Sequence, residues 1–151
     1  MIIDLFAMIK IKLISFQKHK NSHIEEIEKE YSKRLSRFAE VELISVKNWS
    51  ENKGLSDKIR RNARVVGLYI EGPQYTSPMF ANRLKKLINL GNSKFVFVIG
   101  AAEGMPRGVD SQVDEKWSIS KLTFSHQLMR MLLLEALYRS FDIINGSRYH
   151  K

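Results

Sequence analysis

Three stretches carry residue types that can do chemistry. Ile99-Gly100-Ala101-Ala102-Glu103-Gly104 follows the most apolar run of the chain, Lys94–Ile99. Small residues there let a ligand approach the main chain closely. The same residues also suit a tight turn out of a buried strand, and the loop alone does not choose between the two. It matches neither a dinucleotide fingerprint nor a phosphate loop. The second stretch is Trp117-Ser118-Ile119-Ser120-Lys121-Leu122-Thr123-Phe124-Ser125-His126. It is too polar for a central strand and too short for a helix. It can present backbone N–H and C=O groups to a flat heterocycle, although its residues by themselves favour an ordinary loop with a helix cap at Ser125. The third is His126–Phe141, whose Leu128, Met129, Met131, Leu132, Leu133, Leu134, Ala136 and Leu137 cover almost the whole circumference of a helix. Such a helix is expected in a core or a subunit interface. Arg130, set among these residues, requires a carboxylate, a carbonyl or a phosphate; Glu135 and Arg139 stand one turn apart and suit an ion pair.

Other chemistries are poorly supplied. There is no cysteine, which removes disulfides, thiolate nucleophiles and cysteine-ligated zinc. Of the four histidines, His19, His23, His126 and His150, the first two have a helical metal spacing but no third ligand nearby and read as surface histidines. No spacing suggests a Ser-His-Asp arrangement. Lysine and arginine number 25 against 16 acidic residues, a net charge of +9 that favours a polyanionic partner. Lys47, Lys53, Lys58, Arg60, Arg61 and Arg64 cluster around Trp49. This is either a solvated face or a grip on RNA with an aromatic that stacks on a base. No apolar run reaches the ~18 residues of a membrane span.

The elements that must position these stretches alternate. Strands are predicted at Ile9–Phe16, Val41–Val46, Val65–Ile70 and Lys94–Ile99. Helices are predicted at His23–Phe38, capped by Ser22, at Leu55–Arg64, at Ser77–Asn89, capped by Ser77 and stopped by Gly91, and at His126–Phe141. One or two helical turns are expected within Val109–Glu115 and a partly extended segment at Trp117–Phe124. The first helix should turn Ile24, Ile27, Tyr31, Leu35 and Phe38 inward. This order implies one α/β domain over residues 8–151, an open, mostly parallel sheet with helices on both faces, with residues 1–7 as an extension outside it. Ligands of such sheets bind beyond the carboxyl ends of the strands.

Met8–Phe16, Phe97–Gly104, Trp117–Arg139 and the ending Tyr149-His150-Lys151 together resemble the RlmH family of knotted (SPOUT) methyltransferases, in order and over nearly the whole chain from Met8. Members modify N3 of a pseudouridine in 23S ribosomal RNA, using S-adenosyl-L-methionine and no metal. The resemblance implies a deep trefoil knot in the C-terminal third and a homodimer in the cytoplasm. It implies ribosomal RNA or the ribosome as partner, rather than DNA or a membrane. Carried over residue by residue, it assigns donor binding to Leu68, Gly100, Ile119, Ser120, Lys121, Leu122, Thr123 and Phe124. Tyr149 and His150 would approach the target base, His150 as the base that takes its proton. Two departures stand out: the family's IGG is IGA here, with Ala101 and Ala102, and the second helix is shorter by roughly ten residues. A non-enzymatic ribosomal RNA-binding or assembly factor on the same fold, or a knotted methyltransferase of transfer RNA, are the alternative readings.

Overall fold

The computed structural model describes residues 9–17 and 21–146. The expectations for residues 1–7, His19, Tyr149 and His150 lie outside them. Five strands form one all-parallel sheet: β1 (Lys10–Phe16), β2 (Glu40–Val46), β3 (Arg64–Leu68), β4 (Lys94–Ile99) and β5 (Glu115–Trp117). Their spatial order is β2-β1-β4-β3-β5. β4, the most apolar strand, lies in the middle with Phe95 to Ile99 all buried. Both faces of a central parallel strand are covered, so it needs no polar face.

Helices lie on both faces, but unequally. Side chains alternate along each strand. Ile11, Leu13, Val66, Phe95, Phe97 and Trp117 point to one face. There they meet three long helices, α1 (Ser22–Leu35), α3 (Ser77–Asn89) and α5 (His126–Ile144), in the larger core. Ile14, Phe16, Val65, Val96 and Val98 point to the other face. That face is covered by two single-turn helices, α2 (Asp57–Arg60) and α4 (Arg107–Asp110), with Leu55, Trp49 and Met105 from the loops.

Several boundaries differ from the sequence expectation, each for a visible reason. The short helix expected over Leu55–Arg64 is shorter still, a single turn at Asp57–Arg60. Asn62 takes a positive φ of 57°, and Arg64 already belongs to β3, where its guanidinium reaches Glu115 at 3.2 Å. Asn21, not Ser22, caps α1; its side chain accepts from the backbone N–H groups of His23 and Ile24. Thr76, not Ser77, caps α3. Gly91 does end α3, at φ +102°, a conformation that favours glycine. Of the one or two turns expected within Val109–Glu115, a single turn forms and starts earlier, at Arg107, and β5 takes Glu115–Trp117. Ile27 of α1 is exposed, and the position facing inward beside it is Glu28.

Candidate methyl-donor site

β3, β4 and β5 end side by side, and the loops that leave them enclose a cavity of about 380 Å³. That volume falls within the roughly 300–1,000 Å³ of small-molecule pockets. Three sets of bonds shape it. After β4 the chain closes a tight hairpin in which Ala101 and Gly104 exchange backbone hydrogen bonds of 2.9 Å. Gly104 takes φ +112°. A Cβ on Gly100 would lie 2.9 Å from the backbone of Gly104 and Met105, so the loop folds back only because that position is bare.

The segment after β5 is tied to the segment after β3. Tyr69 N–H donates to the Trp117 carbonyl at 2.8 Å, and Ser118 N–H to that of Pro73 at 3.0 Å. The buried Ser118 hydroxyl reaches the carbonyls of Ile70 and Ser120 at 3.0 and 3.1 Å. The Ser120 hydroxyl then accepts from Leu122 N–H at 2.9 Å, a side-chain turn that curls the chain over the cavity. Ser125 caps α5 by accepting from Leu128 N–H, as the sequence suggested.

Beneath this layer Trp117 is fully buried, edge-on to Phe80, Phe97 and Tyr75. Its indole N–H donates to Glu115 at 2.7 Å. Glu115 also accepts from Arg83 (2.5 and 2.9 Å) and Arg64. Burial pushes the Glu115 carboxyl up, but these donors outweigh it and hold the group below the usual carboxylate range. Tyr69, on the cavity wall, is pushed the other way: burial, then its 2.5 Å bond to Asp110, keeps the phenol protonated.

The structure brings Leu68, Gly100, Ile119, Ser120, Leu122, Thr123 and Phe124 to the wall of this one cavity, together with Ile99, Met105, His126 and Met129. Lys121 is exposed and is not among the lining residues. Ala101 and Ala102 both line it; Ala101 is also packed into the smaller core. Tyr69, Ile70 and Glu71 were missed by sequence reasoning. The turn signal Glu71-Gly72-Pro73 marked the end of a strand, not a wall. The walls are mostly apolar, with small hydroxyls and main chain, and suit a nucleoside that is held by shape and backbone contacts.

The remaining candidates resolve as follows. Arg130 finds a carboxylate: it forms two hydrogen bonds with buried Glu28 of α1. It also donates to Ser15 and Ser45. Arg139 pairs with Glu135 at 2.7 Å. Trp49 is half-buried, with its ring edge-on to Phe16 at 5.7 Å. α5 is not buried all round in the single chain, since Leu128 is 40% exposed while Leu133, Leu134 and Leu137 are fully covered. Among the described residues no group of three or more metal-ligating side chains converges, and no helix is long and apolar enough to cross a membrane.

An all-parallel α/β sheet with a nucleoside-sized cavity at its carboxyl edge defines a class, and the comparisons agree with it. The model of the family described as "Predicted SPOUT methyltransferase" matches residues 9–150, and the chain belongs to that family; it is a methyltransferase. Its relatives include the ribosomal RNA large subunit methyltransferase H of Bacillus thuringiensis subsp. konkukian, 40% identical over 93% of this chain and 99% of the relative. That of Bacillus pumilus is 36% identical over the same shares. A putative ribosomal RNA large subunit methyltransferase H of Methanococcus maripaludis is also 36% identical with the same coverage. The RlmH resemblance seen in the sequence is thereby shown.

Proposed function

We propose that this protein transfers a methyl group from S-adenosyl-L-methionine to N3 of a pseudouridine in 23S ribosomal RNA, as a cytoplasmic homodimer knotted in its C-terminal third. One observation carries the reading: seven of the eight residues that the family resemblance assigns to the donor line a single cavity at the ends of β3, β4 and β5. The relatives' names support ribosomal RNA as substrate, and the net charge of +9 suits a polyanion.

When bound, S-adenosylmethionine supplies a methyl group already activated on a sulfonium. The chain's work is therefore alignment and exclusion of water. Leu68, Ile99, Ile119 and Met129 offer apolar walls to the adenosyl part. The curled Ser118–Phe124 segment offers main-chain groups to its polar edge. N3 of the base carries a proton near neutral pH. His150 takes that proton on a ring nitrogen, and Tyr149 orients the base; both lie outside the described residues.

The dimer reading draws on uncovered apolar surface. Leu128 of α5 is 40% exposed and Leu122 above the cavity 68% exposed, which suits a partner subunit packed beside the donor site.

The test is mass spectrometry of 23S ribosomal RNA from a strain lacking the gene, followed by methylation of that RNA with purified protein and donor. One N3-methylated pseudouridine should be missing from the strain and be restored in vitro. A full complement in the deletion strain, or modification of transfer RNA instead, overturns the reading.

A further inference from the structure

The basic run from Lys47 to Arg64 takes no part in the donor cavity, whose described lining holds no lysine or arginine. The sheet face beneath α2 shows what part of that run does. Every second side chain of β1 and β4 points to this face. Toward the carboxyl ends these are Ile14, Phe16, Val96 and Val98, packed in the smaller core. Toward the amino ends the same rows continue as Lys12, Lys10 and Lys94, with Lys10 and Lys94 side by side in register. Lys58 and Arg61 line one groove of about 230 Å³ with these three lysines. Two acids share the groove, and each is the register partner of a β1 lysine: Glu40 of Lys10, at 4.0 Å, and Glu42 of Lys12. Lys58, Arg61 and Lys94 are exposed and form no ion pair with a described residue. Three cations gathered without a counter-charge raise the local potential and draw an anion.

We propose that this groove binds the sugar-phosphate backbone of ribosomal RNA, as an anchoring contact away from the target base. The proposal rests on the ribosomal RNA reading above and deepens it. The groove lies at the amino ends of β1 and β4, whereas the donor cavity lies at the carboxyl ends of the sheet. One strand length, roughly 20 Å, separates the two. The anion is a backbone phosphate rather than a base. Trp49 packs against Phe16 at the other end of the face, and the ring of Phe95 turns into the larger core. The groove therefore offers no aromatic surface for stacking. It is also smaller than the roughly 300 Å³ at which small-molecule pockets begin, so a phosphate fits where a nucleoside does not. Contacts of this kind fix the position of an RNA without reading its sequence. They leave the choice of base to the donor end of the sheet.

The test measures binding to ribosomes from a strain lacking the gene, over a series of salt concentrations, for wild type and two triple variants. One carries Lys58→Gln, Arg61→Gln and Lys94→Gln. The control carries Lys33→Gln, Lys85→Gln and Lys86→Gln, which removes the same charge from exposed positions on α1 and α3. The groove variant should bind about tenfold more weakly near 0.1 M salt, and its log affinity should fall less steeply with log salt, by about 2 to 3 in slope. The control should stay within about threefold of wild type, with a slope change below about 1. S-adenosylhomocysteine affinity, melting temperature and the single-turnover rate at saturating ribosomes should match wild type in both, because exposed charges are removed and the donor cavity is untouched. A groove variant that binds like wild type overturns the proposal. So do equal losses in variant and control, which trace to net charge alone, and a slower rate at saturating ribosomes, which places the groove in the chemistry. A wild-type protein that neither binds nor methylates ribosomes sinks the substrate reading itself, which separates the two failures.

Discussion

Arg130 of α5 and Glu28 of α1, 102 positions apart in the chain, form a buried ion pair with two hydrogen bonds. The same guanidinium reaches Ser15 at 2.9 Å and Ser45 at 2.7 Å, two residues directly opposite each other on β1 and β2. One side chain thus fastens the helix that begins at the donor cavity to α1 and to the far half of the sheet. A buried charge stripped of its partner costs about 3–5 kcal/mol. Arg130→Met should lower stability by about that amount, and Glu28→Gln with Arg130→Met by clearly less. Thermal unfolding at one fixed protein concentration checks both. Equal destabilisation by the single and double variants would contradict the pairing.

This pair also shows what could be read in the sequence and what could not. β4 was legible because six residues that are nearly all apolar admit no other place than a sheet centre. α3 was legible from the spacing of Phe80, Leu84, Leu87 and Ile88 and from Gly91. Arg130 was visibly out of place, but its partner could not be named, because a contact across 102 positions leaves no local pattern. The truncated α2 failed for the same reason: Arg64 leaves the helix to reach Glu115, 51 positions on. The cavity lining in Ile119–Phe124 has no periodicity at all; family resemblance, not spacing, pointed to it.

Glu115 predicts a pH dependence. Its folded-state pKa lies below the usual value near 4.5, so the stability it contributes is fully present above that value. It is lost as pH falls below about 4.5 and through the depressed folded value. Glu115→Gln should be less stable than wild type at neutral pH, with the gap closing in acid. Urea midpoints across that range check this; a gap that is constant with pH contradicts it.

Gly100→Ala tests the hairpin above the donor cavity. The new methyl group would lie 2.9 Å from the backbone of Gly104 and Met105, which must shift. Overpacking of this kind costs about 1–3 kcal/mol. Calorimetry should show S-adenosylhomocysteine binding weakened at least tenfold, since the displaced loop forms the cavity wall. Unchanged affinity would remove the hairpin from the site.

The exposed Leu128 tests the subunit arrangement. Leu128→Glu should convert the proposed homodimer to a monomer in light scattering and weaken donor binding with it. A wild-type monomer, or a variant that stays dimeric, contradicts a twofold axis beside α5.

The most direct measurement for the whole account is a crystal structure of the protein with S-adenosylhomocysteine. The ligand should lie at the ends of β3, β4 and β5, between Leu68, Gly100 and the Ile119–Phe124 segment, next to a second subunit. A cavity that stays empty at millimolar ligand, or a ligand bound elsewhere on the chain, would contradict it.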